Sequence, residues 1–127
     1  MIEFVVVGTP RSHRARSRSQ WQATVKNAVP AHVGVLAGAL RLRIDFFFED
    51  TTDLDADNII KSIQDALKGI VYDDDEHVVD VCARKIDQQR LPPIIEPSTT
   101  LSDALDLRPG DFVYIRVATA QPEVTFS

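Results

Sequence analysis

The sequence predicts an α+β fold: a single small domain in which a mixed β-sheet packs with two main helices. Three observations carry that prediction. Strand-like and helix-like hydrophobic periods follow the order strand, helix, strand, helix, then two strands, an order that suits a mixed sheet. The 127 residues are 44% hydrophobic and 26% charged, the balance of a globular chain with a modest core. The lone Cys82 can form neither an internal disulfide nor a cysteine metal site, so packing must hold the fold together.

Taken in order, Ile2 to Val7 is rich in β-branched residues and reads as a strand buried on both faces, closed by Thr9-Pro10. The polar, basic segment from Arg11 to Ser19 runs into a helix over about 19–29, with Trp21, Val25 and Ala28 on one face and Pro30 as its stop. Residues 31–39 read as a connection. Leu40 to Phe48 alternates as a second strand, placing Leu40, Leu42, Ile44, Phe46 and Phe48 toward the core. Asp57 is placed to start the next helix, where a carboxylate meets free backbone N–H groups and the positive end of the helix dipole. Ile59, Ile60, Ile63, Ala66 and Leu67 mark the buried face of that helix, and Gly69 ends it. A strand follows over 77–86, with Val79 and Val81 on one face and Val78 and Cys82 on the other.

Residues 87–110, broken by Pro92, Pro93, Pro97 and Pro109, read as an irregular insertion or dimer contact in which 102–107 form a short helix. A last strand covers 111–118, and 120–127 is a loose tail. The whole chain, 1–127, reads as one domain.

Charge is distributed unevenly. From Glu49 to Asp80 eleven acids face Lys61 and Lys68, a local net of −9 in a chain whose formal net charge is −5. Residues 1–30 carry Arg11, Arg14, Arg16, Arg18 and Lys26 against Glu3 alone, a net of +4. A hard divalent cation is the natural neutraliser of clustered carboxylates, and basic groups beside it would hold phosphates. Asp57, Lys61 and Asp65 recur at i, i+4 and i+8 and share one helix face, and the turn at Gly69 lets Asp73 to Asp75 come back beside Asp55 and Asp57.

The acids admit other readings. A solvated surface is the plainest. An EF-hand loop beginning at Asp53 fails at its sixth position, Asn58, and its twelfth, Gln64. A phosphatase of the haloacid dehalogenase type lacks its expected Thr or Val after Asp55 and needs a longer chain. His77 reads as a partly exposed strand histidine, and Trp21 as core rather than a base-stacking platform.

The run Asp55-x-Asp57-Asn58-x-x-Lys61-x-x-x-Asp65-Ala66-Leu67, then Gly69 and the acidic pair Asp74-Asp75, resembles the RusA family of Holliday-junction resolvases. The likeness is specific over residues 55–84 and weaker elsewhere, and Asp53 and Asp73 are extra acids beside the motif. The resemblance implies a RusA-like nuclease domain acting in DNA recombination and repair. Asp55, Asp57 and Asp75 would hold Mg²⁺, with Mn²⁺ able to substitute and Asp74 a further ligand or outer contact. Lys61 would be the catalytic lysine. It also implies a homodimer, whose two equivalent sites make paired cuts in a four-way junction. Arg11, Arg14, Arg16, Arg18, Lys26, Arg84 and Lys85 are the expected DNA contacts. Rival expectations are a nuclease of the same fold acting on other branched or single-stranded nucleic acid, a junction-binding module that does not cut, and an acidic interaction protein.

No apolar run approaches the roughly 20 residues of a membrane span. Residues 1–8 lack the basic start of a signal peptide, so a cytoplasmic location is expected.

Overall fold

The computed structural model describes residues 1–11 and 16–126. Four strands, β1 (Ile2–Val7), β2 (Leu40–Phe48), β3 (Val78–Asp87) and β4 (Phe112–Thr119), form one sheet in the order β1-β4-β2-β3. β2 and β3 are parallel, while β4 runs antiparallel to both β1 and β2. The sheet is therefore mixed, as expected. The helices are α1 (Arg18–Ala28), α2 (Ala56–Leu67) and α3 (Thr99–Leu107).

The main core lies between the sheet and the α1/α2 layer. Phe4, Val6, Leu42, Ile44, Phe46, Ile115 and Val117 from the strands meet Trp21 and Val25 of α1 and Ile59, Ile63, Ala66 and Leu67 of α2. Each large aliphatic side chain buried there contributes about 1.5–3 kcal/mol. Trp21 is core, as its place in the helix period predicts.

A smaller cluster occupies the other sheet face, where Phe47, Phe112 and Tyr114 pack beneath Leu101 and Ala104 of α3. Phe47 stacks on Phe112 with ring centroids 4.7 Å apart. That second cluster is why segment 87–110 is more regular than its prolines suggest. α3 begins three residues earlier than expected, because the Ser98 hydroxyl accepts a hydrogen bond from the Leu101 N–H and caps it.

Two expectations about burial are corrected. β1 is not buried on both faces: Ile2, Phe4 and Val6 are buried, but Val7 is 55% exposed, because β1 is an edge strand that α3 covers only near Val5. In β3 the facing pattern breaks at Val79. Leu40 pairs with Val78 but Arg41 pairs with Asp80, so Val79 bulges out of the ladder and is 62% exposed. The extra residue shifts the phase, and Val78, Val81 and Ala83 all pack on the main core.

Tyr114 of β4 reaches across the smaller cluster and donates its hydroxyl to the Glu3 carboxylate of β1. That bond, reinforced by Ser98 and Thr100, holds the Glu3 carboxyl below its ordinary value. A lowered folded pKa contributes stability above the unfolded value near 4.5 that is lost as pH falls through the folded one. Tyr114→Phe is therefore expected to cost about 1 kcal/mol at pH 7, with partial exposure keeping it at the lower end for a charged hydrogen bond. The difference from the parent should shrink below pH 4 in urea unfolding curves.

Because β1, β2 and β3 are mutually parallel, the loops after β1 and β2 leave the same end of the sheet. Asp111, at the start of β4, ties them together. Its carboxylate accepts from the Thr9 hydroxyl at 2.8 Å and from the Glu49 N–H at 2.9 Å, and its carbonyl accepts from the Gly8 N–H at 2.9 Å. Gly110 precedes it with φ +93°, a left-handed turn that favours glycine.

Candidate active site

α2 is the frame of the site. Its N-cap is Asp55, with extended backbone at φ −76° and ψ 152°, rather than Asp57 as the sequence suggests. Asp57 sits in the first turn, where its charge still opposes the helix dipole. The Asp55 side chain makes no capping hydrogen bond. At the other end the chain leaves Leu67 and turns at Gly69, φ +84°, whose N–H donates to the Tyr72 carbonyl at 2.7 Å. This turn sends residues 73–75 back along the helix.

The return brings Asp75 to Lys61. Lys61 Nζ lies 2.9 Å from Asp65 Oδ1, one turn on, and 3.9 Å from Asp75 Oδ2. The hydrogen bond and charge of Asp65, and then the charge of Asp75, raise the Lys61 pKa above its ordinary value. The ammonium is thus held charged. The other oxygen of Asp75, Oδ1, is buried with no hydrogen-bond partner. Asp74 is occupied differently. Its Oδ1 accepts the Asp75 N–H at 2.7 Å and lies 3.5 Å from Lys68 Nζ, so it fixes the backbone of its neighbour.

Tyr72, which sequence reasoning passed over, braces this corner. Fully buried, it donates its hydroxyl to the Gln64 carbonyl of α2 at 3.2 Å. Burial first, and then the charge and hydrogen-bonding proximity of the Asp75 carboxylate, push its phenol well above the usual range. A tyrosine ending an apolar run just before an acidic cluster was the available signal. Asp111 carried no such signal, since its partners Gly8, Thr9 and Glu49 lie 62 or more residues away in the sequence.

The remaining acids are spread along the helix. At 1.5 Å per residue, Asp57 lies about 6 Å and Asp55 about 9 Å along the axis from Lys61. Among the described residues no three His, Cys, Asp or Glu side chains stand close enough to share one ion. The donor set nevertheless suits Mg²⁺, which keeps several waters and takes only one or two carboxylates from a protein. An unpartnered buried carboxylate oxygen on Asp75 and an uncapped carboxylate on Asp55 are oxygens of the required kind.

The expected DNA contacts divide into two groups. Arg11, Arg16, Arg18 and Lys26 are exposed in and around α1, and the Asp111 tie holds the loop start that bears Arg11 against the acidic loop. Arg14 lies outside the described residues, as does His13. Arg84 is on the sheet face away from α2, where Nε and Nη2 meet Asp45 Oδ1 and Oδ2 at 2.6 and 3.2 Å. Lys85 is exposed beside it and pairs in register with Phe46.

The family model described as Endodeoxyribonuclease RusA matches residues 3–96, about three quarters of the chain. The matched span runs from β1 through the whole acidic region and stops short of α3 and β4. No curated protein matches the chain. No helix among the described residues is long and apolar enough to cross a membrane.

Proposed function

The chain belongs to the RusA endodeoxyribonuclease family, and from that premise we propose that it is a Mg²⁺-dependent resolvase that hydrolyses paired phosphodiesters of a four-way DNA junction in recombination and repair. The observation that carries this reading is the pairing of a charged lysine with an acid that has an oxygen to spare: Lys61 stands between Asp65 and Asp75, and Asp75 Oδ1 is buried and unpartnered.

Asp75, with Asp57 or Asp55 from the start of α2, would hold the ion, and Asp74 keeps the Asp75 backbone in place. Bound Mg²⁺ supplies a Lewis acid at the phosphate and a lower pKa for the attacking water. Lys61 supplies fixed positive charge to the oxygens that become more negative as the bond breaks. Asp65 fixes the position of that ammonium through its hydrogen bond. The basic residues around α1 hold the substrate backbone against the repulsion of the acidic surface.

Symmetric incision of a junction calls for two equivalent sites, which a twofold homodimer supplies. A cytoplasmic location fits a DNA-acting enzyme.

Cleavage assays on a synthetic four-way junction, a fork, a flap and a linear duplex, each titrated with Mg²⁺, test the proposal. Paired symmetric cuts in the junction, absent without divalent ion and weak on the duplex, are expected. Preferential cutting of flaps or single strands would replace the junction substrate with another branched one. Junction binding without cutting in either Mg²⁺ or Mn²⁺ would reduce the protein to a binding module.

A further inference from the structure

The sheet face turned away from α2 holds a second concentration of charge. α3 covers only the part over Phe47, Phe112 and Tyr114. Beyond it, Arg41 and Arg43 of β2, Arg84 of β3 and Arg116 of β4, together with Asp45 and Tyr114, line a depression of about 340 Å³.

The register makes the grouping costly. Arg43 lies directly opposite Arg116 in the antiparallel β2–β4 pair, and like charges so placed destabilise a sheet. Nearby acids offset only part of it. Asp80 lies 3.3 Å from Arg41 and 3.2 Å from Arg43, and Asp45 takes Arg84. Glu3 is the register neighbour of Arg116, but its carboxylate accepts the Tyr114 hydroxyl. The Arg116 guanidinium instead meets the neutral sulfur of Met1, Nε to Sδ 3.0 Å. Three acids, Glu3 acting on Arg116 through its charge alone, thus serve four guanidinium groups around one concavity.

Guanidinium forks match phosphate oxygens. Neighbouring strands lie about 4.8 Å apart, so arginines from β3, β2 and β4 span about 10 Å, room for more than one phosphate. We propose that this arginine face binds the phosphate backbone of a second arm of a branched DNA, distinct from the arm presented to the acidic site.

The inference rests on the nuclease reading and extends it to substrate class. Phosphates on this face cannot be the ones cut, because the sheet separates them from Lys61 and Asp75. A linear duplex lying on one face leaves the other empty. A junction has arms for both.

The test measures binding by fluorescence anisotropy in an Asp75→Asn background, which prevents cutting, between 50 and 200 mM salt. The probes are a four-way junction and a linear duplex of the same sequence. Adding Arg43→Gln with Arg116→Gln is expected to weaken junction binding about tenfold. It should flatten the slope of log affinity against log salt by about 1–2, with less than a twofold change on the duplex. Arg43→Lys with Arg116→Lys should keep most of that slope. Thermal unfolding of the glutamine variant should stay close to that of its parent, since relief of the like-charge pair offsets loss of the part-exposed Arg43–Asp80 contact.

Unchanged junction affinity and slope in a folded glutamine variant would overturn the proposal, as would an equal loss on the duplex. Failure of the parent to bind junctions at all would instead sink the nuclease reading. Normal junction binding that ignores Arg43 and Arg116 would sink the arginine face alone.

Discussion

Asp75→Asn is expected to abolish junction cleavage, lowering kcat by about a thousandfold or more, the scale seen when one preorganised charge is removed from a transition state. Junction affinity should change by less than about threefold. The reason lies in the two oxygens of this carboxylate. Oδ2 faces Lys61 at 3.9 Å, and Oδ1 is buried without a hydrogen bond, the neighbouring Tyr72 hydroxyl being given to the Gln64 carbonyl. A buried acceptor left unpaired costs free energy unless something arrives to satisfy it. An amide in its place removes the negative charge beside Lys61 and leaves only a neutral, weaker oxygen donor for Mg²⁺.

That substitution has a second expected readout which does not depend on cutting. A ligand bound only by the folded state adds RT ln(1 + [L]/Kd), about 1.4 kcal/mol when Mg²⁺ is at ten times its Kd. The parent should melt at a higher temperature as Mg²⁺ is added, and Asp75→Asn should lose most of that rise. In EDTA the variant should melt close to the parent, because the isosteric amide keeps the packing and the 3.9 Å Lys61 contact that it weakens is part-exposed. Cleavage within tenfold of the parent, or an undiminished Mg²⁺ effect on melting, would remove Asp75 from the site.

What the sequence revealed and what it hid follow from how local each signal is. The bounds of β2, Leu40–Phe48, could be read from alternation because a strand's facing pattern is written in its own side chains. The stripe of α2 and the turn at Gly69 are likewise contained within about 15 residues. The motif carrying the family resemblance lies on these same elements, and the Lys61–Asp65 contact follows directly from their i, i+4 spacing.

Other features belong to pairs of segments. The bulge at Val79 exists only in the ladder with β2, so alternation within β3 gave the wrong phase. Phe47 reads as the outward residue of a half-buried strand until α3 arrives to cover it. Asp111 ties Thr9, 102 residues away, to Glu49. The arginine face draws Arg41 and Arg43 from β2 and one arginine each from β3 and β4, so no one segment of the sequence announces it. The N-cap was misplaced by two residues because Asp55 and Asp57 are chemically alike, and only the extended backbone at Asp55 distinguishes them.

Lys61→Met carries the second large effect, a fall of about a hundredfold to a thousandfold in kcat with junction affinity nearly unchanged. The same change tells an electrostatic role from that of a general base. Asp65 and then Asp75 raise the Lys61 pKa above its ordinary 10.5, so the ammonium stays charged through the whole range in which the enzyme can be assayed. A base in that position would need the opposite shift. Rate against pH from 6 to 9 should therefore keep its shape in Lys61→Met and simply move down. An inflection present in the parent and missing from the variant would make Lys61 the proton acceptor.

Asp65 acts through the lysine, 2.9 Å from its Nζ, and not on the phosphate. Asp65→Asn alone should cost about tenfold, as expected for an outer group that orients another. Added to Lys61→Met it should cost nothing more, since the group it positions is gone. Fully additive losses would give Asp65 a role of its own, and the lysine would then owe its placement to Asp75 alone.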